Sequence, residues 1–510
     1  MDINILLLVI IPLFTAFMIP LIDLIHKSIR KYFVFVSINV EAFIAIRIIL
    51  NNFDKIKNSE LFLDYHLGGW ITPYGINLIM DPVALFFSTL ITFSLYFIIV
   101  YSIGFIGHHE GKYYVLLFLI FAAMQGTILT GDLFNMYVFI ELIAVTSSPL
   151  VAFKRDQNST EAAIKYLIYS IIGGLFFFIG VIFIYFSVGT LNMAEAAANF
   201  GSIGFRMQLF IITTFLVSFL IKLGIFPFHF WLPKAHSACP SSISALLSGV
   251  LLKVYLYTFI RILWTVLDYN IIIDIGLDVF IIYISLFSSL LGHIFALQAD
   301  DIKRMLAFST IGHIGMITAA IALNTKAGFY GAMLHIIAHL LMKSGLFLGV
   351  GYLINYVSGH KIEDFTGIAY RHKGIFISII VLSFGMIGIP PIIGFMSKWY
   401  ILLGFLESQS YLGAALVIVG SLTAVIYYMR YIARAVQKVK VEPDLKNRGI
   451  FNKPIISTFY RERIVTAIIY LFTFLVVVTG VGFKMFDIPI NSMIPELIDS
   501  QEYINHILGL

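Results

Sequence analysis

Charge is scarce in this chain. Of its 510 residues, 12% are charged and 60% hydrophobic, whereas a soluble protein of that length needs about twice the charge to dress its surface. Cysteine is scarcer still: the single Cys239 excludes structural disulfides within the chain and a cysteine-ligated iron–sulfur cluster. Nucleotide signatures are lacking too, with no Walker motif and no strand-flanked G-x-G-x-x-G. Any redox chemistry or ATP hydrolysis that drives the protein is expected on another chain, and no cofactor is expected in this one. Residues 1–22 have no basic leader and no small-residue cleavage site, so they read as a retained first helix and not as a signal peptide. The net charge of +5 follows from basic loops and does not point to nucleic acid.

What is present is long apolar runs. Several exceed the roughly 18 residues that suggest a bilayer span, and lipid requires each span to satisfy its own backbone hydrogen bonds. The fold class is an all-α polytopic membrane protein; a β-barrel would show short alternating segments instead. The runs give about fourteen spans, with a polar stretch at 51–80 and an interruption of the twelfth at Pro390 and Pro391. When loops are assigned alternately to two sides, most of the 33 Lys and Arg collect on one set, which marks it as cytoplasmic. That set holds Lys27, Arg30, Lys31, Lys154, Arg155 and the basic stretch 430–463. Both termini are then expected outside, in a prokaryotic inner membrane.

Two segments resemble each other at an offset of 164 residues: Gly224-Ile225-Phe226-Pro227 and Gly388-Ile389-Pro390-Pro391. Thr160-Glu161-Ala162 resembles Thr325-Lys326-Ala327 at 165, and Asp132-Leu133 resembles Asp301-Ile302 at 169. These offsets cross an odd number of spans, so a duplication would place the copies upside down relative to each other. The expected division is 1–112, a first repeat at 113–266, an inverted second repeat at 275–436, and 437–510. Inverted repeats with Gly/Pro-interrupted helices at matching places point to an ion site; the alternative is that the prolines only kink their helices.

A charge at the bilayer centre costs roughly 2.5–3.5 kcal/mol on insertion scales, so ionisable residues within spans are expected to face the bundle interior, water or one another. Glu141 lies mid-span in the fifth run, Lys222 ahead of the Pro227 break, Lys253 in the eighth span, and Lys398 after the Pro390–Pro391 break. All four lie too deep to snorkel. His335, His339 and Lys343 stand at i, i+4 and i+8 on one helix face. His293, Ser309 and His313 are further candidates, and Lys165, Lys303, Lys343 and Asp132 are accessory ones. Lys165, Lys303, Arg304 and Arg261 lie near span ends, where snorkelling is the simpler expectation. Glu41 and Arg47 read as a structural pair or as interface contacts. His335 and His339 have metal-site spacing, but no acidic or cysteine ligand accompanies them, so no metal is expected.

The residues also resemble a known family. GDLFNMYVFIE (131–141) is similar to the fifth-span motif of Mrp-type antiporter D subunits and of membrane-bound hydrogenase subunits. KLGIFPFHFWLPKAH (222–236), PSSISALLSGVLLK (240–253), ADDIKRMLAFSTIGHIG (299–315), HIIAHLLMKSGLF (335–347) and GIPPIIGFMSKW (388–399) resemble the shared core of antiporter-like subunits in respiratory complex I. The resemblance runs over residues 68–434. It implies two half-channels on inverted five-helix repeats, with Glu141 and Lys222 as the gating pair, Lys253 as central relay and Lys398 as terminal base. The tail after Phe486 is too short for the lateral helix of the most distal complex I subunit, and the GDLFN form points to the Mrp and hydrogenase branch. The implied partners are other membrane subunits, small antiporter-like ones among them, and a peripheral redox module.

At about 4 Å and an effective dielectric near 20, a carboxylate attracts an ammonium by on the order of 4 kcal/mol, enough to decide whether a buried lysine keeps its proton. The expected mechanism has Glu141 exchange Lys222 for a neighbouring subunit, releasing the Lys222 proton toward Lys253 and through the histidines to Lys398. Alternatives are the D component of a stand-alone multisubunit Na+/H+ antiporter, a bridging subunit without transport, and sodium transport by this chain through Asp132 with Thr146, Ser147 and Ser148.

Overall fold

Helix starts in this chain are set by short polar side chains placed ahead of apolar runs. In the computed structural model, which describes residues 2–72, 74–106, 110–357, 359–438, 459–495 and 501–509, Asp2 caps α1 (Ile3–Ile25) and accepts from the Asn4 N–H at 2.9 Å. α2 (Ile29–Asn51) follows a short turn. Asp81 caps α3 (Pro82–Phe105), whose first residue is a proline, and α4 (Glu110–Leu129) returns. Asp132 caps α5 (Leu133–Val151), and Asp156 caps α6 (Gln157–Val188). α7 (Phe205–Lys222), α8 (Ser241–Val266) and α9 (Leu277–Gln298) come next. Asp301 caps α10 (Ile302–Ala322) and Thr325 caps α11 (Lys326–Ile354). α12 (Lys373–Ile387), α13 (Ile393–Glu407), α14 (Tyr411–Val436) and α15 (Phe459–Val481) complete the bundle. Each cap gives an orphan amide of the first turn an acceptor.

Among the described residues, thirteen helices are long and apolar enough to cross a membrane. The remaining expected crossing is the one cut into α12 and α13, of 15 residues each. α7 is also cut: past Pro227 it resumes as the short helix Trp231–Ala238. Gly224 (φ +66°) and Gly388 (φ +97°) close the two leading halves in the left-handed region that a side chain disfavours.

The polar stretch 51–80, unassigned from sequence, folds as an antiparallel hairpin of β1 (Leu63–His66) and β2 (Asn77–Met80), with Leu63 opposite Met80. The Asp2 N–H donates to the Asp64 carbonyl at 3.0 Å. The helix Gln501–Leu508 sets Tyr503 and His506 against Phe62 at ring distances of 5.9 and 4.0 Å. The start of α1 and the tail helix thus meet on one hairpin. Most of the basic stretch 430–463, Lys446 included, lies outside the described residues.

Three helices form the centre. The apolar stretch of α8 is 100% buried and those of α10 and α11 are 94% buried, against 39% for α1, α6, α14 and α15. Two isolated β-bridges join span entrances to later loops, Asp132 with Asn192 and Asp301 with Lys361. Both ends of the second bridge lie 169 residues beyond those of the first.

Candidate ion-translocation site

The polar side chains of the bundle begin on α5. Lys222, the last residue of α7, places its ammonium 3.2 Å from a Glu141 carboxylate oxygen and 3.0 Å from the Ser170 hydroxyl of α6. Gly173 and Gly174 on α6 leave the room for this pair. A Cβ at Gly173 would lie 3.3 Å from Lys222 Cε, and one at Gly174 would overlap the Glu141 carboxylate. The partners differ in access: Lys222 is 3% exposed and Glu141 22%. Glu141 continues an outward stripe of α5 with Phe134, Val138 and Val145, all exposed, at helical spacing. The ring of Tyr255 on α8 lies 5.6 Å from the Lys222 ammonium.

α8 holds two π-helical stretches, Leu246–Leu251 and Arg261–Val266, a local widening common at functional sites. Lys253 follows the first. Its ammonium donates to the Ser248 carbonyl at 2.7 Å and lies 2.6 Å from His339 Nδ1. His313 of α10 stands between the two histidines of α11, with ring distances of 5.6 Å to His339 and 5.2 Å to His335. His313 Nδ1 is 3.0 Å from His335 Nε2, and His335 Nδ1 is 2.8 Å from the Ser397 hydroxyl. Next to Ser397, Lys398 donates to the carbonyls of Met386 and Ile387 at 2.8 and 3.0 Å and to the Ser421 hydroxyl at 3.1 Å. It borders a cavity of about 250 Å³ between α13 and α14.

A side branch leaves at His293 on α9. Its ring lies 5.2 Å from that of His313, in a slot where a Cβ at Gly312 or Gly420 would come within 2.8 or 3.0 Å of it. His293 Nδ1 meets the Tyr427 hydroxyl at 3.2 Å, Tyr427 donates to Ser309 at 2.8 Å, and Ser309 meets Tyr428 at 3.3 Å. Lys343 reaches Tyr428 at 3.4 Å and the Leu306 carbonyl at 2.8 Å. Lys343 therefore belongs to this branch and not to the His335–His339 row. Sequence reasoning missed Ser397, Tyr427 and Tyr428, which carry no charge, and Gly173 and Gly174, whose doublet opposite Glu141 was the available signal.

Several expectations are corrected. Lys303 does not snorkel: it is 2% exposed and donates to the Cys239 carbonyl at 2.9 Å. Arg261 does not either. It forms a buried ion pair with Asp81, because the surrounding stretch of α8 offers no route to headgroups. Glu41 and Arg47 do not pair: both Glu41 oxygens are buried without a partner among the described residues, while Arg47 points outward from the other face of α2. Lys165 and Arg304 do lie at the surface, Lys165 paired with Glu161. Asp132 serves as a helix cap, accepting from the Asn135 N–H at 2.7 Å. Thr146 and Ser147 bond to carbonyls of their own helix and Ser148 to that of Ala163. They lie some fourteen residues, about 21 Å of helix, from Asp132, so these oxygens form no common cation site. Among the described residues no three His, Cys, Asp or Glu side chains are gathered to hold a metal ion.

Residues 130–424 match the family model described as NADH:quinone oxidoreductase/Mrp antiporter, TM. The chain belongs to this family. It is 34% identical over 387 residues to NADH-quinone oxidoreductase subunit N of Desulforudis audaxviator, covering 75% of this chain and 77% of that one. A chain of the membrane-bound sulfane sulfur reductase, an archaeal respiratory membrane complex, superposes with a TM-score of 0.88 at 26% identity, over 99% of this chain and 100% of that one. A chain of the Mrp complex from Dietzia sp. shares the fold, with a TM-score of 0.86 at 19% identity over 100% of both. The protein is an antiporter-like, polytopic membrane chain.

Proposed function

We propose that this chain conducts protons as a membrane subunit of a redox-driven ion-pumping complex of the membrane-bound hydrogenase kind, beside other membrane subunits and a peripheral redox module. The observation that carries the reading is the row of buried titratable side chains from Lys222, paired with the half-buried Glu141, through Lys253, His339, His313 and His335 to Lys398. Buried charge in a membrane is retained only at a cost, and a bridging subunit would be more stable with apolar residues there. Proton cargo is favoured over sodium because the row is rich in nitrogen bases and poor in the clustered oxygens a hard cation takes.

Glu141 acts as the switch. Facing inward, it holds Lys222 in the ammonium form; its partial exposure on an apolar outer stripe lets a neighbouring subunit pull it away. Lys222 then gives its proton toward Lys253, and the relay continues by the histidines to Lys398. The paired bridges at a 169-residue offset and the two glycine-closed breaks support reading 113–266 and 275–436 as inverted repeats, each contributing half of the path. The basic loops support both termini lying outside. Similarity to the Mrp fold keeps a stand-alone Na+/H+ antiporter as the second reading.

Substituting Lys253→Met or Lys398→Met keeps the aliphatic length and removes the titratable group. Both variants are expected to assemble and to stop ion translocation by the complex in vesicles, and Lys398→Glu to be milder than Lys398→Met. Normal translocation in both assembled Met variants would refute the relay.

A further inference from the structure

A second cationic site lies far from the relay, at the turn between α1 and α2. Lys27, Arg30 and Lys31 line a cavity of about 720 Å³ whose wall descends past Phe35, Val100 and Ile103. Arg30 is fixed by Asp23 at 2.6 Å and Glu110 at 2.9 Å, and Lys31 reaches Glu110 at 3.3 Å. Arg30 Nε is buried without a partner among the described residues, and Lys27 forms no ion pair there. Ser28 precedes the 23-residue α2 and makes no side-chain cap, so the positive end of its dipole stays available to an anion.

The geometry points to a binding site for an anionic phospholipid of the surrounding bilayer, with its phosphate at Lys27, Arg30 and Lys31 and an acyl chain along Phe35, Val100 and Ile103. Among the described residues, three cations against two carboxylates leave one positive charge unanswered, beside an uncapped helix start. A free phosphate would use the rim and leave the apolar wall unused. An acidic peptide would set its backbone against a wall that offers no hydrogen-bond partners. A lipid matches both ends, and basic pockets between transmembrane helices suit such headgroups.

The test uses the full chain, purified in its complex in mild detergent. Native mass spectrometry measures lipid retained after titration with phosphatidylglycerol or phosphatidylcholine. Wild type is expected to retain phosphatidylglycerol selectively. Lys27→Ala/Lys31→Ala should weaken that retention by about 30-fold, roughly a factor of five per lysine. Val100→Trp, which fills the throat without changing charge, should abolish it. Lys112→Ala, the loss of one lysine at an exposed position outside the cavity, should leave it unchanged, where Lys27→Ala alone should weaken it. Equal retention of the two lipids would overturn the proposal. So would displacement of the lipid by an equal concentration of inorganic phosphate, which would mark a plain anion site. Loss of a companion subunit from the lysine variant with lipid retention intact would mark an acidic protein partner instead.

Discussion

Glu141 is held against Lys222 by what its neighbour on α6 lacks. Gly174 has no side chain where the carboxylate sits, so Gly174→Ala forces Glu141 outward without replacing any titratable group. Over-packing of this kind costs about 1–3 kcal/mol, and coupled transport should fall toward the level of Glu141→Ala, which is expected to lose it. Glu141→Asp should be milder. Wild-type translocation in both assembled alanine variants would remove Glu141 from the mechanism. The histidines give a second test at this scale. They face one another, a lysine and hydroxyls, so His335→Ala/His339→Ala should impair transport and leave the metal content of the purified complex unchanged; elemental analysis checks this. The ionisable residues were legible in sequence because lipid makes every one of them conspicuous. Ser397, Tyr427 and Gly174 were not, since neutral residues in apolar helices need no explanation until their neighbours are known.

At the scale of the element, sequence periodicity identified spans but not their local irregularities. Breaks at Pro227 and Pro390–Pro391 were readable because proline removes a donor. The π-helical stretches of α8 leave no such mark, and a two-stranded hairpin of four-residue strands is too short for its alternation to stand out. Arg261 was misjudged for a related reason: its distance from the span end was right, but its partner Asp81 caps a helix 180 residues earlier. Breaking a buried pair while leaving one charge behind costs about 3–5 kcal/mol. Asp81→Ala removes the pair and the α3 cap together, so a loss at or above that range is expected in thermal unfolding of the solubilised complex. Asp81→Ala/Arg261→Met should recover part of it. An unchanged melting point in Asp81→Ala would show that the pair contributes nothing.

For the whole molecule, the number of crossings and their alternation make a prediction about sides. If the basic loops lie in the cytoplasm, a cysteine placed at Lys446 in a Cys239→Ser background should react with an impermeant maleimide only in inverted vesicles. A cysteine at Tyr74, by the hairpin turn, should react only in right-side-out ones. Labelling of position 446 from outside would reverse the proposed orientation. This assignment came from loop charge alone; the fold supplies the complementary fact that the start of α1 and the tail helix share one end.

Lys398 ties the first half of a broken crossing to the second, and donor arithmetic gives that tie a consequence. An ammonium has three hydrogens to give, and three acceptors receive them here: the carbonyls of Met386 and Ile387 and the hydroxyl of Ser421. The neutral amine has only two. When the proton departs, either a carbonyl lets go or the Ser421 hydroxyl turns round and donates to the freed lone pair, and both carbonyls at stake are the last of α12. Charge movement and the grip on the helix end are therefore counted in the same hydrogens. Carbon-13 labels at Met386 and Ile387 separate the two outcomes: a shift in one carbonyl stretch marks a released helix end, and two unchanged stretches mark a reversed Ser421 hydroxyl.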